Sequence, residues 1–110
     1  MPAREDDVRP AHGDAPVDEL LLRFARAGHD AGYPADDLER RVAALAAAVG
    51  AEGVEISATP TIVDMSVGPV QRRRARSLRV RPAAVDLAAI AELDDLLQRA
   101  VDRERRGASA

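Results

Sequence analysis

The apolar positions of this chain recur at two different spacings that alternate along the sequence. In residues 16–31, 38–49 and 87–101 they fall three and four positions apart, which is typical of amphipathic helices. In residues 54–67 they alternate with polar positions, which is typical of half-buried strands. The pattern therefore predicts two helices, then a stretch of strands, then a third helix.

Glycine, proline and aspartate mark the boundaries of these elements. Gly32 can adopt the positive φ that ends the first helix, and Pro34 has its φ preset for the first turn of the second. Gly50 offers a stop to the second helix. Pro82 ends the last strand, and Asp86 is a good N-cap for the third helix.

Three strands are predicted between the second and third helices. Residues 54–58 and 61–67 form the first two, and Thr59-Pro60-Thr61 forms the turn between them. Residues 70–81 supply the third candidate strand. The prediction is an α+β fold of two layers, in the order α-α-β-β-β-α. A three-stranded antiparallel meander forms one layer, and the three helices lie on its apolar face.

Gly28 lies inside the first predicted helix, where glycine costs about 1 kcal/mol against alanine. We expect this glycine to allow another backbone to approach closely, which would offset the lost helix stability. The first helix is therefore expected to pack against the second helix or against the sheet.

Length and composition indicate one domain with an aliphatic core. A chain of 110 residues buries roughly 60 to 70% of its unfolded surface, which is enough for one core. Aromatic residues make up only 2% of the chain, so the core must consist of Leu, Val, Ile and Ala. We assign residues 16–106 to this domain, residues 1–15 to a disordered leader and residues 107–110 to a frayed tail.

Composition also argues against several classes of function. Without cysteine there is no disulfide framework, no thiolate metal site and no cysteine nucleophile. The longest apolar run, residues 43–49, is far shorter than the ~20 residues of a membrane-spanning helix. A net charge of -3, with one tyrosine and one phenylalanine as the only aromatics, argues against nucleic-acid binding.

The polar residues do not favour catalysis or metal binding. A hydrolase needs a hydroxyl within hydrogen-bond reach of an oriented base, and no Gly-x-Ser-x-Gly turn is present. No histidine or aspartate cluster has the spacing of metal ligands, so we expect no metal and no cofactor. Asp36-Asp37 and Asp94-Asp95 are interpreted as solvated helix positions. The residues available to a hydrolase would be His12, His29, Ser57, Thr59, Thr61, Asp64 and Ser66.

Six arginines crowd the third candidate strand and form the strongest charged feature of the chain. One interpretation is a basic patch that faces a partner or an anionic lipid surface, where each arginine contributes ~1 kcal/mol. The alternative is the solvated outer face of a strand, where arginines also discourage aggregation. The six are Arg72, Arg73, Arg74, Arg76, Arg79 and Arg81.

Three short segments follow one another in a distinctive order. They are Gly32-Tyr33-Pro34, Ala58-Thr59-Pro60-Thr61, and Arg79-Val80-Arg81-Pro82 leading to Val85-Asp86-Leu87. In this combination they resemble the N-terminal soluble domain of the threonine/serine exporter family, over residues 17–106. The resemblance implies a cytoplasmic domain that precedes a multi-helix membrane domain, in bacterial proteins that export threonine and serine with the proton gradient.

The function implied by the resemblance is a non-catalytic accessory or regulatory role in amino-acid efflux, at the inner face of the plasma membrane. The implied partners are the membrane domain of the exporter, in cis or in trans, or a second copy of the chain. Because the chain ends at Ala110 without a membrane segment, we expect a piece of a longer exporter or a free-standing domain. The alternative function is a free-standing small ligand-binding or hydrolase-like domain.

The turn at Thr59, Pro60 and Thr61 has two interpretations. Hydroxyls and free backbone groups at a turn suit a small zwitterion, so the turn could contact the amino acid being exported. The plainer interpretation, which we favour, is that Pro60 fixes the turn and Thr61 starts a strand.

Overall fold

The computed structural model describes residues 14–109, with side chains from residue 16 to residue 107. Its three helices and three strands follow the order α-α-β-β-β-α, which confirms the predicted α+β class. The leader predicted for residues 1–15 lies outside the described residues, except for its last two, which belong to the first helix. The helices are α1 (Asp14–Ala31), α2 (Ala35–Ala48) and α3 (Leu87–Ser109), and the strands are β1 (Glu55–Ala58), β2 (Ile62–Val67) and β3 (Arg74–Arg79).

The strands form an antiparallel meander with β2 in the centre. Val63, Met65 and Val67 of β2 are buried, and they alternate with less buried positions, as expected for a sheet with one covered face. β3 is shorter than the strand predicted at residues 70–81, because the backbone first makes a 3₁₀ turn at Val70–Arg72.

The three helices differ in whether they contact the sheet. α1 and α2 contact the sheet, while α3 packs on α1 and α2. Within residues 87–107, no side chain of α3 is fully buried, so this helix is the most exposed of the three. It continues to Ser109, which makes most of the predicted tail at residues 107–110 helical. The half-buried residues that join α3 to the core are Ile90, Leu93, Leu97 and Ala100.

Thr59 stabilises the turn between β1 and β2 through hydrogen bonds to Ile62. Its main-chain N–H donates to the carbonyl of Ile62 over 2.8 Å, and its hydroxyl oxygen accepts the N–H of Ile62 over 3.1 Å. β1 forms one edge of the sheet, beside α2, where Glu39 accepts a hydrogen bond from the N–H of Ala58 over 3.0 Å. An edge N–H that is already bonded is no longer free to pair with another chain.

α1 and the segment that follows it meet closely at Gly28. A Cβ atom on Gly28 would lie 2.6 Å from Cδ1 of Leu38 and 3.0 Å from Cδ2 of Tyr33. The close neighbours are therefore side chains, whereas the sequence led us to expect a backbone. The predicted packing of the first helix on the second is confirmed.

Replacing Gly28 by alanine tests this contact. Although alanine favours a helix by about 1 kcal/mol, we expect Gly28→Ala to lower the free energy of unfolding by about 1–2 kcal/mol through overpacking. Gly107 of α3 is the matched control, because a Cβ there meets nothing within 4 Å. Gly107→Ala should be neutral or stabilising in the same chemical denaturation experiment. A Gly28→Ala protein as stable as the parent would contradict the close packing.

A buried ion pair joins the start of α1 to β3. Arg74 donates to both carboxylate oxygens of Asp18, from Nε over 2.6 Å and from Nη2 over 3.1 Å. Asp18 is only 3% exposed. Because a charge left unpaired at this depth is costly, the native position of α1 on the sheet depends on this pair.

Removal of the negative charge from Asp18 should be strongly destabilising. We expect Asp18→Asn to lower the free energy of unfolding by about 3 kcal/mol, because a charge-assisted, two-pronged ion pair is lost from a buried position. The neighbouring Glu19 is the control, since its ion pairs with Arg23 and Arg76 span 3.7 and 3.5 Å on the surface. Glu19→Gln should cost less than about 1 kcal/mol in urea denaturation. Equal losses for the two variants would count against a buried pair.

Candidate functional site

A cleft of about 330 Å³ opens where three connections of the fold meet. These are the α1–α2 connection, the β1–β2 turn and the loop between β3 and α3. Each of the three segments that carry the family resemblance contributes to its walls, which consist mostly of short apolar side chains and main chain. We call it the junction cleft; it is lined by His29, Gly32, Tyr33, Pro34, Ala35, Ala58, Thr59, Pro60, Pro82 and Ala83.

Gly32 brings the loop before α3 into the wall of the junction cleft. Its φ is 93°, which ends α1 as predicted, and a Cβ there would lie 2.7 Å from Cα of Val85 and 2.8 Å from the carbonyl oxygen of Ala84. The N–H of Asp86 donates to the carbonyl of Ala31 over 2.8 Å. The loop therefore passes directly over the end of α1, and only glycine leaves room for it.

The predicted turn contributes two of its three residues to the junction cleft. Thr59 and Pro60 line the cleft, while Thr61 lies outside it and accepts a hydrogen bond from the N–H of Val80 over 2.9 Å. The hydroxyl oxygen of Thr59 bonds within its own turn to Ile62. The hydroxyl of Thr59 is thus engaged within the turn.

His29 holds the turn from the end of α1. Its Nε2 lies 3.1 Å from the carbonyl oxygen of Thr59. Because a carbonyl only accepts, Nε2 is the donor of this hydrogen bond. The residue is 9% exposed, and its Nδ1 is buried with no hydrogen-bond partner among the described residues. A buried ring nitrogen in this state is incompletely satisfied.

Tyr33 connects the junction cleft to α3. Its buried ring lines the cleft, and its hydroxyl donates to the carboxylate of Asp94 on α3. Arg41 of α2 donates from Nε to the same carboxylate over 2.9 Å, and its guanidinium lies 4.4 Å from the centre of the Tyr33 ring. The side chain of Asp94 is 44% exposed, as expected of a solvated helix position, but it is also the shared acceptor of this cluster. Asp95 instead pairs on the surface with Arg99 over 3.2 Å.

The Tyr33 cluster shifts two ionisation equilibria in opposite directions. Burial, followed by the hydrogen bond to Asp94, raises the pKa of Tyr33 from 10.0 to about 12. The hydrogen bond from Arg41, followed by that from Tyr33, lowers the pKa of Asp94 from 3.8. The contribution of Tyr33 to stability is therefore complete below pH 10.0 and is lost as the pH rises towards 12. That of Asp94 is present above pH 3.8 and is lost as the pH falls below it.

Tyr33 is the only tyrosine of the chain, so the ultraviolet absorbance of tyrosinate reports on this residue alone. We expect a titration midpoint near pH 12 in the native protein and near 10.0 in the denatured protein. Asp94→Asn should lower the native midpoint but keep it above 10.0, because burial remains the largest cause. Glu92→Gln, on an exposed position of α3, should leave it unchanged. A native midpoint near 10.0 would show that the hydroxyl is not buried at α3.

The six arginines do not lie on one surface. Arg74 and Arg76 stand opposite the buried Val67 and Met65 of β2, so they lie on the face of the sheet that the helices cover, and Arg79 lies on the other face. Arg73 is a structural clamp that donates to the carbonyls of two glycines and to the hydroxyl of a serine. Its acceptors are Gly53 O at 2.8 Å, Gly68 O at 3.0 Å and Ser66 Oγ at 2.8 Å. Four of the six are exposed, namely Arg72, Arg76, Arg79 and Arg81.

The residues available to a hydrolase are dispersed by the fold. Asp64 and Ser57 are cross-strand neighbours on the outer face of the sheet, and the hydroxyl of Ser77 donates to Asp64. His29 lies at the end of α1, where its Nε2 donates to the main chain of the β1–β2 turn, while His12 lies outside the described residues. Among residues 14–109, no group of three or more histidine and acidic side chains is placed to hold a metal ion.

The fold defines a small α+β domain whose connecting segments meet at an open cleft. A family model described as "Putative threonine/serine exporter" matches residues 19–109. The chain therefore belongs to this family of threonine/serine exporters. No curated protein matches the chain, and no solved structure does. Of the helices in the described part, none is both long and apolar enough to cross a membrane.

Tyr33, Arg41 and Asp94 are the site residues that the sequence did not single out. Tyr33 was recognised only as the middle of a helix junction, and Asp94 lies 61 positions further along the chain. The one available signal was the identity of Tyr33 as the sole tyrosine, placed between two residues that fix the backbone.

Proposed function

We propose that this chain is a cytoplasmic accessory domain in threonine and serine efflux, and that it acts without catalysis at the inner face of the plasma membrane. Its partner in this proposal is the membrane domain of the exporter, in cis or in trans. The membership of the chain in the exporter family supports a role in threonine and serine efflux. The hydroxyls and the imidazole that a hydrolase would need are dispersed, which supports a role other than hydrolysis.

The observation that carries the proposal is the open junction cleft itself. Segments that are far apart in the sequence meet there, yet about 330 Å³ between them stays unfilled. All three segments that carry the family resemblance reach this surface. Their alanines and prolines leave it open to a partner, which favours a regulatory contact at this end of the domain.

Filling the junction cleft tests the proposed role. In an exporter that carries this domain, expressed in cells without other threonine exporters, Ala83→Trp should slow the efflux of labelled threonine several-fold. Ala83 is exposed, so the large ring occupies the cleft without entering the core. Ala75→Trp is the matched control, because Ala75 is an exposed alanine on the sheet, away from the cleft. It should leave efflux unchanged.

Two control measurements are needed to interpret the efflux of the two variants. Thermal unfolding of the two 110-residue variants establishes that both keep the fold, and immunoblots establish equal amounts of exporter. With both conditions met, efflux that is equal for the Ala83→Trp and Ala75→Trp exporters would refute a role for the junction cleft.

A further inference from the structure

The outer edge of β3 presents a row of main-chain hydrogen-bond groups to solvent. The N–H of Val80 donates to the carbonyl of Thr61 over 2.9 Å, which sets the phase of the β2–β3 pair. Because the main-chain groups of successive residues point to opposite edges of a strand, those of Ala75, Ser77 and Arg79 point away from β2. Among residues 14–109 no strand pairs with this edge, and the three residues are exposed. We call this row the β3 edge.

Most of the positive charge of β3 is balanced within the chain. Arg74 pairs with Asp18 over 2.6 Å, and Arg76 pairs with Glu19 over 3.5 Å. Of the three arginines of the strand, Arg79 alone has no acidic partner among the described residues. The β3 edge therefore carries one unbalanced charge, and that charge lies at the end of the strand.

The β3 edge is complementary to itself when two strands pair antiparallel about a two-fold axis at Ser77. Ala75 then lies opposite Arg79 of the second copy, Ser77 lies opposite Ser77, and each of the three pairs exchanges two hydrogen bonds. On the other face Arg76 lies opposite Leu78, so no arginine of the strand is directly opposite another. The two Arg79 residues are about 13 Å apart along the strands, which exceeds the screening length of about 8 Å at physiological salt.

The neighbouring registers match less well. An axis at Arg76 places this arginine opposite itself, in a pair whose Cα atoms are about 4.5 Å apart. An axis at Leu78 places Ala75 opposite Arg81, which lies beyond the end of β3. The axis at Ser77 is therefore the one that matches all three outward residues of the strand without opposing two arginines.

We propose that the β3 edge is a docking surface for a second copy of this chain, and that the two sheets join across a two-fold axis at Ser77. The product is one continuous sheet of six strands. Main-chain hydrogen bonds supply the affinity of such strand addition, and the side-chain pairs fix its register. Two-fold pairs are also the commonest closed assemblies of identical chains. This pairing does not use the junction cleft, so it goes beyond the proposed function and does not depend on it.

A cysteine at the two-fold axis tests the pairing directly, because the chain has no cysteine of its own. Opposite residues in a hydrogen-bonded pair have Cα atoms about 5.5 Å apart, which is within the range of a disulfide. Ser77→Cys should therefore form a covalent dimer on mild oxidation, seen on a non-reducing gel. Ala75→Cys is the matched control on the same edge, because its two copies are about 13 Å apart along the strands. It should stay monomeric on that gel.

A second pair of variants tests the main-chain hydrogen bonds. Ser77→Pro removes the outward N–H from both copies, and proline is tolerated on an edge strand where the N–H faces solvent. Ser77→Ala is the control, because it also loses the hydroxyl bond to Asp64 but keeps the N–H. In sedimentation equilibrium of the 110-residue chain, we expect the dimer association constant to fall more than about tenfold in Ser77→Pro and to change little in Ser77→Ala.

Three results would overturn the proposal. The first is a parent chain that stays monomeric up to millimolar concentration, and the second is equal crosslinking of Ser77→Cys and Ala75→Cys. The third is a monomeric chain whose amides at the β3 edge shift in nuclear magnetic resonance on addition of a hexapeptide of alternating glutamate and valine, since the occupant is then an acidic strand of another protein. The efflux experiment is decided separately, because Ala83→Trp leaves β3 unchanged and Ala75→Trp keeps both main-chain groups of residue 75 at the edge.

Discussion

The position of Tyr33 is the constraint on which the functional end of this domain depends. The side chain lies between two helices, packs beside Gly28 and reaches across to Asp94 on α3. Because α3 has only a half-buried apolar stripe, this polar contact contributes to its alignment as well as to its attachment. The loop before α3 is placed at the same time, and with it one wall of the junction cleft.

The opposite end of α1 is held in a different way. Asp18 and Arg74 form a buried, two-pronged ion pair that fixes the helix to the last strand. One end of α1 thus carries a charged contact with the sheet, and the other end carries His29 and the cleft.

The sequence predicted the elements well where one local signal decides each of them. Periodicity identified the helices, Gly32 ended α1 at a positive φ, and Asp86 caps α3 through a bond from the N–H of Ala89. The six arginines were considered as one group, but Arg74 and Arg76 share the covered face of β3 and Arg79 lies on the other, because successive strand residues alternate between the faces. The contact between Tyr33 and Asp94 has no local signal at all, since it depends on how α3 crosses α2.

The protection of β1 by Glu39 has a consequence for how this domain could polymerise. α2 covers that margin of the sheet, while β3 has no strand beyond it among the described residues. The N–H of Ala58 is not available to an added strand, so strand addition is less favourable at β1 than at the uncovered edge of β3.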